Sequence, residues 1–366
     1  PVTCAILLQL QQKGTARRWA GQYTGDSVSR RSARLSWRKP LISGVSICGG
    51  VVVNHPGESS PADTDRVVVC VNPNAGACSA SQRVEELVSL LREHGVTAEV
   101  DTSLDAVTEA AIRWHEQRRL RALVGIGGDG TAAELVNRTP AGLPLAMLPS
   151  GNENLLARYV GWSRSPMALG QMLLTGRVTQ LDAGRANGRL FLLMVGCGFD
   201  ADVVRRVHAR RTGHIRSRDY FKPIYESVRT YSYPAMQVAY DSDSELVAGS
   251  ATVGDTARWL FVFNLPCYGG GFRIVPDADG TDGMLDACLF RRGGMWHGLR
   301  YVGGIRLGIH RRMRDVVMRR VCRVTITADA EVPYQLDGDT GGVLPLEIET
   351  IPQRMTLVVP RNVGLS

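Results

Sequence analysis

Residues 122–131 read Ala-Leu-Val-Gly-Ile-Gly-Gly-Asp-Gly-Thr, and Ala-Ala-Glu-Leu-Val-Asn-Arg follows to 138. Ala122–Ile126 is an apolar run that suits a buried strand, and the residues after Thr131 suit a helix through Val136. The loop between them, Gly127-Gly128-Asp129-Gly130-Thr131, is glycine-rich. Glycine reaches positive φ and lets backbone N–H groups approach a phosphate closely. The helix start aims its positive end at the same point. Asp129 repels phosphate, so a carboxylate there suits a bound cation, an oriented hydroxyl or water, or simply a cap on the turn. The letters of a dinucleotide fingerprint fit Gly125–Gly130, yet the strand still occupies Gly125 and Ile126, and no Lys stands where a P-loop needs one.

The same rhythm repeats on both sides of this stretch. Arg66–Val71, Val96–Val100 and Leu143–Leu148 are short apolar or β-branched runs. Gln82–Glu93 and Ala106–Glu116 place apolar residues on one helical face, and a further helix is expected near Leu155–Tyr159. Strands separated by helices of this length predict a parallel sheet with helices on its faces. Three more polar loops then fall on the sheet edge that carries Gly127–Thr131: Asn72–Gly76, Asp101–Ser103 and Pro149–Asn152. Ligands of open parallel sheets bind beyond the carboxyl ends of the strands.

After Gly176 the rhythm changes. Val178–Ala186, Arg189–Val195, Ala235–Ala239, Glu245–Val253, Trp259–Asn264, Leu285–Phe290, Arg323–Ala328, Leu344–Thr350 and Met355–Val359 read as strands. Only Arg218–Thr230 and Trp296–Gly308 are longer helical stretches, which predicts a mostly antiparallel second domain. Its polar turns are Gly196–Asp202, which opens a helix, Gly269–Gly271, the Asp277–Gly283 segment with Asp277, Asp279 and Asp282, and Leu336-Asp337-Gly338-Asp339. Asp/Gly clusters suit hard cations as well as solvated turns, and the Leu336–Asp339 segment suits a hairpin turn. A basic run, Arg205 to Lys222, reads as a solvated helix face or as a contact with an anionic membrane. Seven histidines show no metal-ligand spacing, and no GxSxG elbow occurs.

The 366 residues allow about two domains of roughly 100–200 residues each. Net charge is +8, but residues 1–57 hold eight Lys/Arg against one acid, and the other 309 hold 35 against 34. The body is thus near neutral, and no nucleic-acid surface is implied. Eight scattered cysteines without a CxxC pair argue against a zinc site or a disulfide scaffold. No apolar run reaches the ~18 residues of a membrane helix. Residues 1–65 read as a basic, flexible tail, 66–178 as an α/β nucleotide-binding domain and 179–366 as a second, β-rich domain.

In this order the motifs resemble those of the diacylglycerol kinase catalytic-domain family, which includes bacterial lipid kinases, sphingosine kinases and ceramide kinases. Asn72–Gly76 is similar to its NPxSG loop, Gly127–Thr131 with Glu134 and Asn137 to GGDGTxxExxN, Pro149–Arg158 to PLGTxNxxAR, and Gly196–Ala201 to GxGxDA. Gly269–Gly271, Pro276–Ala278 and Asp282–Asp286 are similar to GGG…PxA…DGxLD, and Leu336–Asp339 to the late DGE. Asn152 stands for the family's Thr, Leu155 for an Asp, and Asp339 for the late Glu. The resemblance implies a phosphofructokinase-like α/β domain, a C-terminal antiparallel β-sandwich, and transfer of the ATP γ-phosphoryl group to a lipid hydroxyl with Mg²⁺. It further implies Asn72, Thr102, Gly127, Gly128, Asp129, Gly130, Thr131, Glu134 and Asn152 around the nucleotide. Asp129 and Asp339 would be catalytic, with Asp339 as general base. Mg²⁺ would sit on the carboxylate of Asp282 and the carbonyls of Asp279 and Met284. The protein is expected in the cytoplasm, peripheral to the inner membrane face where its lipid lies, with homodimerisation left open. A NAD kinase-like enzyme and a non-catalytic lipid-binding protein on the same fold are the alternatives.

Overall fold

A computed structural model of the chain describes residues 64–72, 77–210, 217–240 and 253–361. The expectations for the 1–63 tail, for 73–76 and for a strand at 245–252 lie outside the described residues.

The first half is the predicted parallel sheet. Strands β1 (Arg66–Val71), β2 (Thr97–Asp101), β3 (Leu120–Gly127) and β4 (Pro144–Pro149) lie in the order β2-β1-β3-β4. Every pairing among them is parallel. Helices α1 (Ala77–Glu93), α2 (Leu104–Glu116) and α3 (Asp129–Arg138) connect them, and α4 (Leu155–Val160) and α5 (Pro166–Thr175) follow. Consecutive residues Val67, Val68, Val69 and Leu123, Val124 are all buried, as a sheet covered on both faces requires. Helix α5 was not foreseen, because its near-continuous apolar sequence has no amphipathic period. It is started by Pro166 after Ser165, whose side chain accepts from Ala168 N. Its Gly170 leaves no room for a Cβ against Leu90 of α1.

The second half comprises β5 (Arg177–Ala186), β6 (Arg189–Phe191), β7 (Met194–Cys197), β8 (Met236–Tyr240), β9 (Val253–Ala257) and β10 (Trp259–Phe263). These are followed by β11 (Leu285–Phe290), β12 (Val316–Val321), β13 (Arg323–Thr327), β14 (Pro333–Leu336), β15 (Asp339–Val343) and β16 (Leu346–Val359). Helices α6 (Phe199–Ala209), α7 (Phe221–Thr230) and α8 (Met295–Arg306) interrupt them. One antiparallel sheet runs β12-β11-β10-β7-β14-β15. Leu260 and Val262 of β10, with Leu285, Ala287 and Leu289 of β11, share a core with Val324, Ile326, Leu346 and Ile348 of β13 and β16. The alternate residues Trp259, Phe261, Phe263 and Phe290 belong to the other core, which extends into the first half. That period of two makes a sandwich whose second sheet is buried on both faces.

Two expected strands, 344–350 and 355–359, are one strand with a register shift between Ile351 and Met355. The expected strand 189–195 is two. Strand β16 joins the halves: Thr356 and Leu357 pair parallel with Pro144 and Leu145 of β4, while the same strand pairs antiparallel with β5 and β13. Among the described residues no helix is long and apolar enough to cross a membrane, and Cys70, Cys197, Cys267 and Cys288 are free thiols.

Candidate active site

The loops at the carboxyl ends of β1, β3 and β4 are tied together by backbone and short polar side chains. Asn72 N donates to Ile126 O at 3.2 Å, and Asn72 Nδ2 donates to Thr131 Oγ1 at 3.0 Å. Ser150 N donates to Gly127 O at 2.9 Å. A Cβ on Gly151 would lie 3.0 Å from Gly128 Cα, so the two glycines meet backbone to backbone. Asn154, buried and at φ +47°, clasps this contact: its Oδ1 accepts from Gly151 N at 3.0 Å and its Nδ2 donates to Gly151 O at 2.5 Å. Helix α3 opens on Gly128 without a side-chain cap, which leaves its first amides facing the loop.

Asp129 does act as a cap, but for the other helix. Its Oδ2 accepts from Leu155 N at 2.9 Å and its Oδ1 from Leu156 N at 3.0 Å, at the start of α4. Burial raises its carboxyl above the usual range, and the two amides pull it back. The carboxylate therefore fixes the Pro149–Asn154 loop against the Gly127–Thr131 loop.

Facing these loops is the β14–β15 turn. A Cβ on Gly130 would stand 3.6 Å from Asp339 Oδ2, so the carboxylate of the second half opens onto the glycine loop of the first. Asp337 points the other way. It is half-buried, at φ +52°, and its carboxylate accepts from Leu192 N, Leu193 N and Met194 N at 2.7, 2.8 and 3.0 Å. Burial still pushes it up to about 6. The division of labour in the turn is thus physical: Asp337 builds it and Asp339 projects from it. His208, at the end of α6, supports the projecting group, with Nε2 3.7 Å from Asp339 Oδ1 and 3.2 Å from Gly338 O. Below it Asp200 is buried, accepts from Gln335 Nε2 at 3.0 Å and from the Tyr268 hydroxyl, and is raised by that burial.

Glu134, expected around the nucleotide, lies on the flank of α3. Its carboxylate pairs with Arg189 at 3.2 Å and Arg138 at 3.5 Å. Asn137, one turn on, accepts from Leu190 N at 2.8 Å and donates to Leu190 O at 3.0 Å. Both residues dock α3 on β6, because they sit on the flank of the helix and not at its first turn. Thr102 and Asn152 are exposed on the loops after β2 and β4; Thr102 N donates to Asp101 Oδ1 at 2.6 Å.

The Asp279–Met284 turn lies where β5 and β16 meet. Asp182 holds it: Oδ2 accepts from Gly283 N at 2.8 Å and Oδ1 from Gln353 N at 2.7 Å. Asp279 Oδ1 accepts from Thr281 N and Oγ1 at 3.0 and 2.6 Å. Asp282 spends Oδ1 on Met284 N at 2.9 Å and pairs Oδ2 with Arg320 at 2.5 Å. Burial, reinforced by the neighbouring carboxylates, raises Asp182 and Asp282 and pushes Asp286 up to about 6. Crowded hard oxygen donors suit a divalent cation, and Arg320 supplies the counter-charge in this arrangement. Among the described residues no three His, Cys, Asp or Glu side chains form a ready metal cluster, so any cation here would rely on Asp282 and backbone carbonyls.

The basic run of α6 is largely paired internally. Arg205 reaches Asp202 and Glu331 at 2.9 and 3.1 Å, Arg206 reaches Asp202 at 2.7 Å, and Arg210 reaches Glu226 at 2.6 Å. Of this run, the side chains of 211–218 lie outside the described residues. Asp182, His208 and Gln335 were given no site role from the sequence, and Asn154 and Asp286 were read only as letters of the Pro149–Arg158 and Asp282–Asp286 motifs. Each is a lone polar residue, and its partners lie on other elements. Only the positive φ of Asn154, after a Ser-Gly-Asn turn sequence, had a local signal.

Residues 66–186 match the diacylglycerol kinase catalytic domain, and residues 193–359 match the YegS C-terminal NAD kinase beta sandwich-like domain. The diacylglycerol kinase of Mycobacterium tuberculosis (strain CDC 1551 / Oshkosh) is 28% identical over 323 residues, covering 84% of this chain and 99% of that protein. That of Bacillus subtilis (strain 168) is 23% identical over 310 residues, covering 81% and 97%. The crystal structure of a diacylglycerol kinase from Bacillus anthracis strain Sterne shares the fold, with a TM-score of 0.58 at 19% identity over 82% of this chain and 98% of that one. With both halves matched in order around the loops described above, the chain belongs to the diacylglycerol kinase catalytic-domain family of enzymes.

Proposed function

We propose that the protein is an ATP-dependent kinase that phosphorylates a lipid hydroxyl, with diacylglycerol as the first acceptor to test. The observation that carries this reading is the approach of Asp339 to Gly130 across the two halves. A glycine loop at a helix start is suited to phosphate, and a projecting carboxylate opposite it is suited to the acceptor proton. Asn72, Thr102, Gly127–Thr131 and Asn152 would surround the nucleotide in residues 66–178, and the lipid would enter from residues 179–366. In the transfer, the lipid oxygen bonds to the γ-phosphorus, the bond from that phosphorus to the ADP oxygen breaks, and the hydroxyl proton passes to Asp339. Phosphoryl transfer depends on positioning and charge neutralisation more than on covalent chemistry. Asp282, with the carbonyls of Asp279 and Met284, would hold Mg²⁺, which would lock the turn that Asp182 ties to β5 and β16. The name shared by the Mycobacterium tuberculosis and Bacillus subtilis relatives favours diacylglycerol. Radiolabelled ATP supplied with diacylglycerol, sphingosine, ceramide and isoprenoid alcohols tests the reading. Label should move to diacylglycerol, and transfer to none of the four would overturn it.

A further inference from the structure

Helix α8 presents to solvent a stripe that is apolar at both ends and carries the Asp315-paired Arg300 between them. Trp296 is 76% exposed and Leu307, the residue that caps the helix in helical conformation, is 73% exposed. Eleven positions separate them, three turns at 3.6 residues per turn, so they lie within about 20° on one side. Gly303, on the same side, has nothing within 4 Å of the place where a Cβ would stand. The opposite side is committed to the core through the buried Tyr301 and Ile305. An ordinary surface helix carries charge where this one carries Trp and Leu.

The surroundings of the stripe are cationic. Residues 291–314 contain seven Arg and no Asp or Glu. Arg291, Arg300 and Arg311 are paired with Asp255, Asp315 and Asp277. Arg292, Arg306, Arg312 and Arg314 have no acidic partner among the described residues. This is the reverse of α6, whose arginines are consumed by Asp202, Glu226 and Glu331. Exposed arginines without acidic partners on α8 and on the segments before and after it, together with the exposed Trp296, complement an anionic lipid surface, where the indole and the leucine enter the headgroup boundary and the guanidinium groups meet lipid phosphates. A second copy meeting the same face would set arginine against arginine.

We propose that the α8 face, with Trp296 and Leu307 as the inserted side chains, docks the protein on an anionic bilayer. The inference rests on the lipid-acceptor reading above, because a lipid acceptor gives such a face its purpose. The test is sedimentation of the full chain with phosphatidylcholine vesicles, with and without phosphatidylglycerol, in the absence of nucleotide. In parallel, turnover is measured on a short-chain diacylglycerol dispersed in water. Trp296→Ala and Leu307→Ala should each weaken vesicle binding about tenfold. Arg292→Gln with Arg306→Gln should remove much of the preference for phosphatidylglycerol and its loss at high salt. All variants should keep the unaltered thermal unfolding and the unaltered turnover of the short-chain acceptor. Vesicle binding by Trp296→Ala and Leu307→Ala equal to the parent would overturn the proposal, as would equal competition for this face by duplex DNA. A parent that binds vesicles through Trp296 yet phosphorylates no lipid would sink the kinase reading and leave the docking face standing.

Discussion

Gly130 and Asp339 come from opposite halves of the chain, and a Cβ on the first would stand 3.6 Å from Oδ2 of the second. That distance is ordinary van der Waals contact, so the carboxylate lies directly against the glycine loop. On the proposed function, Asp339→Asn should lower kcat by ~10²–10⁴-fold, the usual worth of general base catalysis, with ATP affinity by calorimetry close to the parent. Asp339→Glu should retain substantial turnover. A parental rate in Asp339→Asn would move the base elsewhere, with Asp129 the next carboxylate to test.

Asp129 carries a second expectation. Its two amide bonds to Leu155 and Leu156 tie the loops. Asp129→Ala leaves both donors unmade and should cost about 1–3 kcal/mol of stability, accelerate amide exchange at Leu155 and Leu156, and abolish turnover. Asp129→Asn keeps one acceptor oxygen and should fall between. Unchanged exchange in Asp129→Ala would show that the helix start does not depend on this carboxylate.

Much of the first half was legible because its elements are local. The run from Ala122 to Thr131 names its own strand, loop and helix, and the β-branched runs set the parallel sheet. The Leu336–Asp339 turn was legible as a position, but that Asp337 is tied to Leu192–Met194 while Asp339 faces the glycine loop depends on elements distant in sequence. What escaped depends on partners distant in sequence. Charge counting shows Arg205, Arg206 and Arg210 but not Glu226 and Glu331, which neutralise them. Glu134 sits in a motif at the right spacing, and its pairing with Arg189, 55 residues on, has no local signal. The fusion of 344–350 and 355–359 into β16 was hidden by Pro352 and Gln353. The polar stretch reads as a break, but Asp182 holds it as a bulge through Gln353 N.

Gly151→Ala tests whether the loops must touch. The added Cβ would stand 2.9 Å from Asn154 Oδ1 and 3.0 Å from Gly128 Cα. Backbone on one side and a buried clasp on the other cannot both yield, so the loops should part. The KM for ATP should rise by about tenfold or more, corresponding to roughly 1–3 kcal/mol of overpacking strain, with the lipid KM little changed. Equal effects on both KM values would point to general misfolding, which thermal unfolding of the variant would expose.

Mg²⁺ at the Asp279–Met284 turn predicts opposite responses from the two members of one ion pair. Asp282→Asn removes the carboxylate and should abolish stabilisation by Mg²⁺, which for the parent reaches about 2.7 kcal/mol at a hundredfold excess over Kd. Arg320→Gln removes the cation now paired with Asp282 at 2.5 Å and should strengthen the Mg²⁺ response. Thermal melts with and without Mg²⁺ read both. A parent whose melting temperature ignores Mg²⁺ would remove the metal from this turn.

Asp286 supplies a pH-dependent test of the same crowding. Burial pushes its carboxyl up to about 6, with Asp282 and Asp277 adding to the rise and Arg320 opposing it. In the unfolded chain the group returns to its ordinary value of 3.8. Between these limits the native state binds more protons than the unfolded state, so this group makes stability fall as pH rises. Its full cost, up to about 3 kcal/mol, is in place above the native value. Asp286→Asn keeps the shape and carries no charge at any pH. In EDTA the variant should therefore gain on the parent as pH is raised from 4 to 7.5, with most of the gain between 4 and 6 and little change thereafter. Urea unfolding midpoints across that range measure the difference. A difference flat in pH would mean that Asp286 is ionised throughout and that the carboxylates of this turn do not crowd one another.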